Sequence, residues 1–168
     1  FYNDGLVTIF AFGAIYASGT FGFTYKEIMM FGIALNIAAG LGSFFMGFID
    51  DIIGGKLTIQ ISLIGLMVSV IIAVFANSKL IFWIAGIIVG LFAGPNQSAS
   101  RSLMGRLTPE DKINEFYGFF AFSGKLTSFL GPIILGGFTK YFDSQRFGVA
   151  TVFLFFFIGF LFLLRVDE

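Results

Sequence analysis

Six runs of mostly apolar residues, each about as long as a bilayer is thick, govern what this chain can fold into. They cover Gly5 to Gly22, Ile28 to Ile49, Leu57 to Phe75, Leu80 to Ser98, Phe116 to Phe138 and Phe147 to Leu164. A hydrocarbon core of about 30 Å is crossed by roughly 20 apolar residues in an α-helix. Within lipid the backbone must satisfy its own hydrogen bonds, which leaves helices and closed barrels. A barrel needs strands of about 10 residues that alternate apolar and polar side chains. None of the six runs alternates, and none carries the broad charged face of a soluble helix. The runs therefore predict an all-α membrane protein with six transmembrane helices.

Composition agrees and removes several chemistries. Hydrophobic residues make up 57% of the chain and charged residues only 12%. Soluble domains carry about 25% charge. The formal net charge is zero, so no basic surface points to nucleic acid. With no cysteine and no histidine, disulfides, thiolate metal sites and the usual general base are all absent. No paired carboxylates fall inside a span, and Gly54-Gly55-Lys56 is too short for a phosphate-binding loop. The expectation is a non-enzyme without catalytic residues, metal or cofactor.

Loop charges suggest an orientation. One side collects Lys56, Arg101, Arg106, Lys112 and Arg165, and the other collects Lys26, Lys79, Lys140 and Arg146. The small excess marks the first side as cytoplasmic. In the loop that follows the fourth span, Thr108-Pro109-Glu110-Asp111 reads as a helix start. Threonine caps, proline suits the first helical position, and acids favour the positive helix end. The chain opens on Phe1-Tyr2-Asn3-Asp4 without an initiator Met or a polar flank. The expectation is a first helix truncated at its start, in a fragment of a longer protein.

Polar residues inside spans are costly and usually functional or tightly paired. Asp4 lies about 22 Å from the outer end of its span, and Lys125 about 20 Å from the outer end of the fifth. The two charges share a depth. They either approach each other or one water-filled cavity, or each snorkels or pairs elsewhere. Asn36, Gly40, Ser43 and Gly47 share one face of the second span, as a cavity wall or a close helix contact. Gly86, Gly90 and Gly94 form a doubled G-x-x-x-G that suits close backbone packing. Pro95 should bend or unwind the fourth span beside Asn96 and Gln97. Gly131-Pro132 repeats the device in the fifth, a recurring way for transporters to build sites.

Two stretches carry a family resemblance. Gly47-Phe-Ile-Asp-Asp51-Ile-Ile-Gly54-Gly-Lys56 resembles the loop signature of major facilitator transporters, with Asp51, Gly54 and Lys56 matching. Ile52 and Gly55 stand where that signature has basic residues. The stretch from Pro95 through Gln97, Arg101, Thr108-Pro109-Glu110, Glu115 and Lys125 to Pro132 is similar to one branch, the autophagy-related vacuole effluxers and their bacterial relatives. The opening Tyr2-Asn3-Asp4-Gly5 resembles the start of that branch's seventh helix.

The resemblance implies that residues 1–168 are helices seven to twelve, the C-terminal bundle of a twelve-helix transporter. It implies an absent N-terminal six-helix bundle as partner, a lipid bilayer around both, and a small-molecule substrate, with amino-acid efflux as the family-level expectation. The implied location is a bacterial cytoplasmic membrane. Substrate and coupling candidates are Asn3, Asp4, Asn36, Asn96, Gln97 and Lys125. Loop and gating candidates are Asp51, Gly54, Lys56, Arg101 and Glu115, of which Arg101 and Glu115 form either a gate pair or ordinary interfacial anchors. Two other classes compete: an oligomeric pore built from six-helix units, and a membrane scaffold that moves nothing.

Overall fold

The computed structural model describes residues 1–166. Asp167 and Glu168, which complete the charged tail expected after the last span, lie outside the described residues. The helices are α1 (Tyr2–Phe21), α2 (Tyr25–Ile53), α3 (Gly55–Phe75), α4 (Lys79–Leu107), α5 (Ile113–Leu126), α6 (Leu130–Phe142) and α7 (Gln145–Leu164), with a 3₁₀ turn at Glu110–Lys112 before α5. Six stretches are long and apolar enough to cross a membrane, the fifth combining α5 and α6. In space, α2 packs on α4, α4 on α3, α3 on α7, and α7 on α1 and α6.

Local chemistry sets the ends. Gly22 closes α1 in the left-handed region (φ 64°), where a residue without Cβ is at ease. Thr24 then opens α2 through a capping box. Its hydroxyl accepts from Glu27 N–H at 3.3 Å, and the Glu27 carboxylate accepts from Thr24 N–H at 2.7 Å. Lys79 Nζ reaches Glu27 at 2.8 Å and ties the start of α4 to the start of α2. Tyr25-Lys26-Glu27, a break between runs in the sequence, is thus the first turn of a long helix.

The seam between α2 and α4 is backbone against backbone. A Cβ added at Gly90 would stand 2.7 Å from Leu35 O and 2.8 Å from Ala38 Cβ. At Gly94 it would strike Ala39 O and Ser43 Oγ, and at Gly42 it would strike Leu91 O. The G-x-x-x-G therefore acts as expected. Of the second-span stripe, Ser43 reaches this contact against Gly94, whereas a Cβ at Gly40 or Gly47 meets open space. The contacting face of α2 runs through Phe31, Leu35, Ala38 and Gly42.

Pro95 does not unwind α4, which stays helical from Lys79 to Leu107. Proline removes the donor that Leu91 C=O would use. That carbonyl lies against Gly42 of α2, where a Cα–H can partly replace the missing N–H. Arg101, expected at the end of the fourth span, lies within this helix. Thr108 does not cap the next one. Its hydroxyl donates back to Met104 O at 2.6 Å, and Pro109 precedes the 3₁₀ turn without a side-chain cap.

Helices α3 and α7 cap each other. Lys56, second residue of α3, donates from Nζ to Leu164 O at 3.2 Å and Val166 O at 2.5 Å. Arg146, second residue of α7, donates to Val74 O at 2.7 Å and Ala76 O at 2.6 Å. Each cation satisfies carbonyls that a helix C-terminus leaves free, at the negative end of the dipole. Between these clamps lies the core of Leu6, Ile59, Leu63, Leu66, Val152 and Phe156. Tyr16, Phe23, Phe31 and Phe82 form a second, aromatic cluster.

Span five is two helices. The α-helical ladder is interrupted between Leu126 and Leu130, upstream of the expected break at Gly131-Pro132. Pro132 falls in the first turn of α6, where a missing N–H costs nothing, so the discontinuity must precede it.

The seam yields a paired test in the full-length protein. Gly42→Ala should destabilise it by about 1–3 kcal/mol through overpacking against backbone. Gly40→Ala, two residues earlier, should leave the melting temperature unchanged or slightly higher. Thermal melts in detergent measure both.

Candidate functional site

Asp4 is fully buried in a span. Its backbone oxygen accepts from Thr8 Oγ1 at 2.6 Å. Gly131 of α6 packs against both Thr8 and that oxygen, so the lack of a side chain at Gly131 lets α6 close over the acid. The Asp4 carboxylate accepts one hydrogen bond, from Thr127 Oγ1 to Oδ1 at 2.9 Å. Oδ2 is buried without a hydrogen bond.

Asn3 brings the same turn of α1 to α5, donating from Nδ2 to Gly124 O at 3.4 Å. Lys125 is exposed, and no ion pair joins it to Asp4 among the described residues. The shared depth is real in that α1 meets the 124–127 stretch. The helix ends at Leu126, however, and the partner is Thr127, beyond it.

The adjacent amides of α4 separate. Asn96 is fully buried, and neither atom of its amide has a hydrogen-bond partner. Gln97 is exposed. Asn36 is exposed too and donates to Gly32 O at 2.8 Å. It edges a cavity of about 170 Å³ whose other walls include Thr8, Phe12, Tyr16, Phe31 and Val152. Apart from a few hydroxyls and this amide the lining is apolar.

At the α2–α3 connection the buried acid is Asp50, not Asp51. Asp50 Oδ2 meets Arg106 Nη2 of α4 at 3.2 Å. Its Oδ1 is 3.4 Å from where a Gly55 Cβ would stand, at the positive start of α3. Asp51 is exposed. Gly54 makes the turn with φ 88°, a conformation that favours glycine. Lys56 serves the α7 terminus, as described above. A second cavity, of about 370 Å³, opens here between Ser43, Asp50, Asp51, Ser98 and Ser102. Arg101 and Glu115 are both exposed, and no ion pair joins them among the described residues. The link across that turn is Tyr117 O–H to Arg101 O at 3.0 Å.

Sequence reading passed over Thr127, Asp50, Arg106 and Arg146. Asp50 was recoverable. The α4-facing register of α2, counted from Leu35 through Ala39, Gly42 and Met46, arrives at Asp50. Thr127 carried no comparable signal, because its position depends on where span five breaks. Among the described residues no three acidic, cysteine or histidine side chains gather as a metal site.

These helices define a multi-pass membrane protein with a buried carboxylate where two spans meet. The family described as "Vacuole effluxer Atg22 like" matches residues 1–168, and the chain belongs to that family. It is similar to the uncharacterized MFS-type transporter YxiO of Bacillus subtilis, at 27% identity over the whole chain and 39% of that protein. It is similar to autophagy-related protein 22 of Kluyveromyces lactis, at 25% identity over 91% of the chain and 33% of that protein. The Cryptococcus neoformans protein of the same name matches at 24% identity over 88% of the chain and 30% of its own length. The chain thus spans about a third of the curated relatives it matches. No solved structure matches it.

The loop acids give a clean comparison. Asp50→Ala should cost about 1–3 kcal/mol by removing the ion pair to Arg106 and the carboxylate at the start of α3. Asp51→Ala should change stability by less than about 0.5 kcal/mol. Urea or thermal unfolding of the purified full-length protein separates the two.

Proposed function

We propose that the chain is the C-terminal six-helix half of a secondary transporter that moves a small solute, an amino acid in the first instance, by alternating access. The observation that carries this reading is the buried carboxylate of Asp4, held by a single hydroxyl at the break in span five. A carboxylate in a low-dielectric interior is suited to taking up and releasing a proton. Discontinuous helices are where transporters place their sites. A relative named as an MFS-type transporter, of which this chain covers 39%, supports the assignment to one half of a larger bundle pair.

In this reading the N-terminal six-helix bundle faces α1, α2, α4 and span five. Exposed Asn36 and Gln97 then contribute to a shared central cavity, with Asn3 and Lys125 at its edge. Lys125 holds a substrate carboxylate. Asn96, enclosed within the bundle, supports rather than touches substrate. Arg101 and Glu115 lie where the cytoplasmic gate would open. The membrane in this reading is a bacterial cytoplasmic membrane.

The test uses the full-length protein in vesicles loaded with the twenty common amino acids. Release is followed by mass spectrometry with and without a proton gradient. The expected result is gradient-dependent movement of a subset, reduced at least about 10-fold by Asp4→Asn. Movement indifferent to both the gradient and Asp4 would point to a pore. No movement of any solute would point to a scaffold.

A further inference from the structure

We propose that Thr127 is a positioning residue that couples the charge of Asp4 to the docking of α5. The inference rests on the reading of Asp4 as a protonatable site and adds the element that answers it.

The hydroxyl of Thr127 has one proton and two acceptors within reach. One is Asp4 Oδ1 at 2.9 Å, across the bundle. The other is Ser123 O at 3.2 Å, one turn back in α5. A charged carboxylate is the stronger acceptor, since hydrogen bonds to ions are roughly twice as strong as neutral ones. Once Asp4 is neutral, its advantage over a backbone carbonyl falls away. The threonine then serves its own helix, as threonines within helices commonly do.

No residue of α5 is buried by the helices described here. Among the described residues its side-chain hydrogen bonds to α1 and α4 are Tyr117 O–H to Arg101 O and Asn3 Nδ2 to Gly124 O, and Thr127, just past its end, reaches Asp4. Of these contacts the last involves an ionisable partner. Between α5 and α6 the α-helical ladder gives way to tighter bonds, Ser128 N–H to Lys125 O and Leu130 N–H to Thr127 O, in a short turn at the Asp4 end of α5. Such element ends are where a helix can pivot.

Among the described residues no charged side chain faces the acid. Span five presents Thr127 and Gly131 to this turn of α1, and α7 presents Phe155 and Phe156 beside Gly5. The charged carboxylate therefore latches α5 and the neutral acid releases it.

The test reads geometry instead of flux. Spin labels are placed at Phe119→Cys on α5 and Leu107→Cys at the end of α4, in an otherwise cysteine-free full-length protein in lipid nanodiscs. The distance distribution is recorded against pH. Two populations are expected, exchanging with a single midpoint. Thr127→Val, which keeps the shape and loses the donor, should leave α5 in the released population at every pH and abolish the titration, because the charged acid no longer has a hydroxyl to hold. Thr127→Ser should restore it. Asp4→Asn should remove the pH dependence. A parent distribution that ignores pH, a Thr127→Val protein that titrates like the parent, or Thr127→Ser behaving like Thr127→Val would each overturn the proposal. If the distances titrate through Asp4 while solute movement ignores Asp4→Asn, the latch stands and the transport reading falls.

Discussion

Lipid offers a backbone nothing to bond with, so helix ends and broken turns in this chain are answered by neighbouring helices. The reciprocal caps are the clearest case. Lys56 and Arg146 sit in the first turns of α3 and α7, where their charge opposes the local dipole. Each is nonetheless in place, because the antiparallel neighbour presents its free carbonyls at the same level. Leu91 C=O, stranded by Pro95, is met by Gly42 in the same spirit. The glycines on both faces of the α2–α4 seam are what allow backbones near enough to do this.

That demand also separates two kinds of polar residue. Tyr16 donates to Ala73 O at 3.0 Å, and Ser62, Ser69 and Thr151 donate to carbonyls of their own helices, so these groups serve structure. Asp4 and Asn96 are different. Both are fully buried, and each retains polar atoms without a hydrogen bond. Such groups cost free energy unless another state of the protein uses them. Their place at the α1–α6 contact and beside the α4 proline connects packing to the proposed mechanism.

Much of the fold was legible in residue order. Six apolar runs gave six spans, and Gly86, Gly90 and Gly94 gave the seam, because lipid thickness and backbone approach are local requirements. The misses were places where tertiary packing decided. Pro95 did not unwind α4, whose freed Leu91 carbonyl packs on Gly42. Span five broke before Gly131-Pro132 because Pro132 fits a first turn. The matching of Asp4 with Lys125 by depth found the right stretch of chain and the wrong side chain. Depth says nothing about azimuth once a helix has broken. Asp51 matched a loop signature, while helical register placed Asp50 against Arg106.

The central claim is that exposed polar residues of α2 and α4 face water within a larger protein, while their immediate neighbours face the bundle or lipid. Single cysteines at Asn36, Gln97, Asn96 and Leu154 in the full-length protein, labelled with a charged membrane-impermeant thiol reagent, test it directly. The account predicts that positions 36 and 97 react, at least about 10-fold faster than 96 inside the bundle and 154 on its apolar exterior. Equal, slow labelling at all four positions would contradict it.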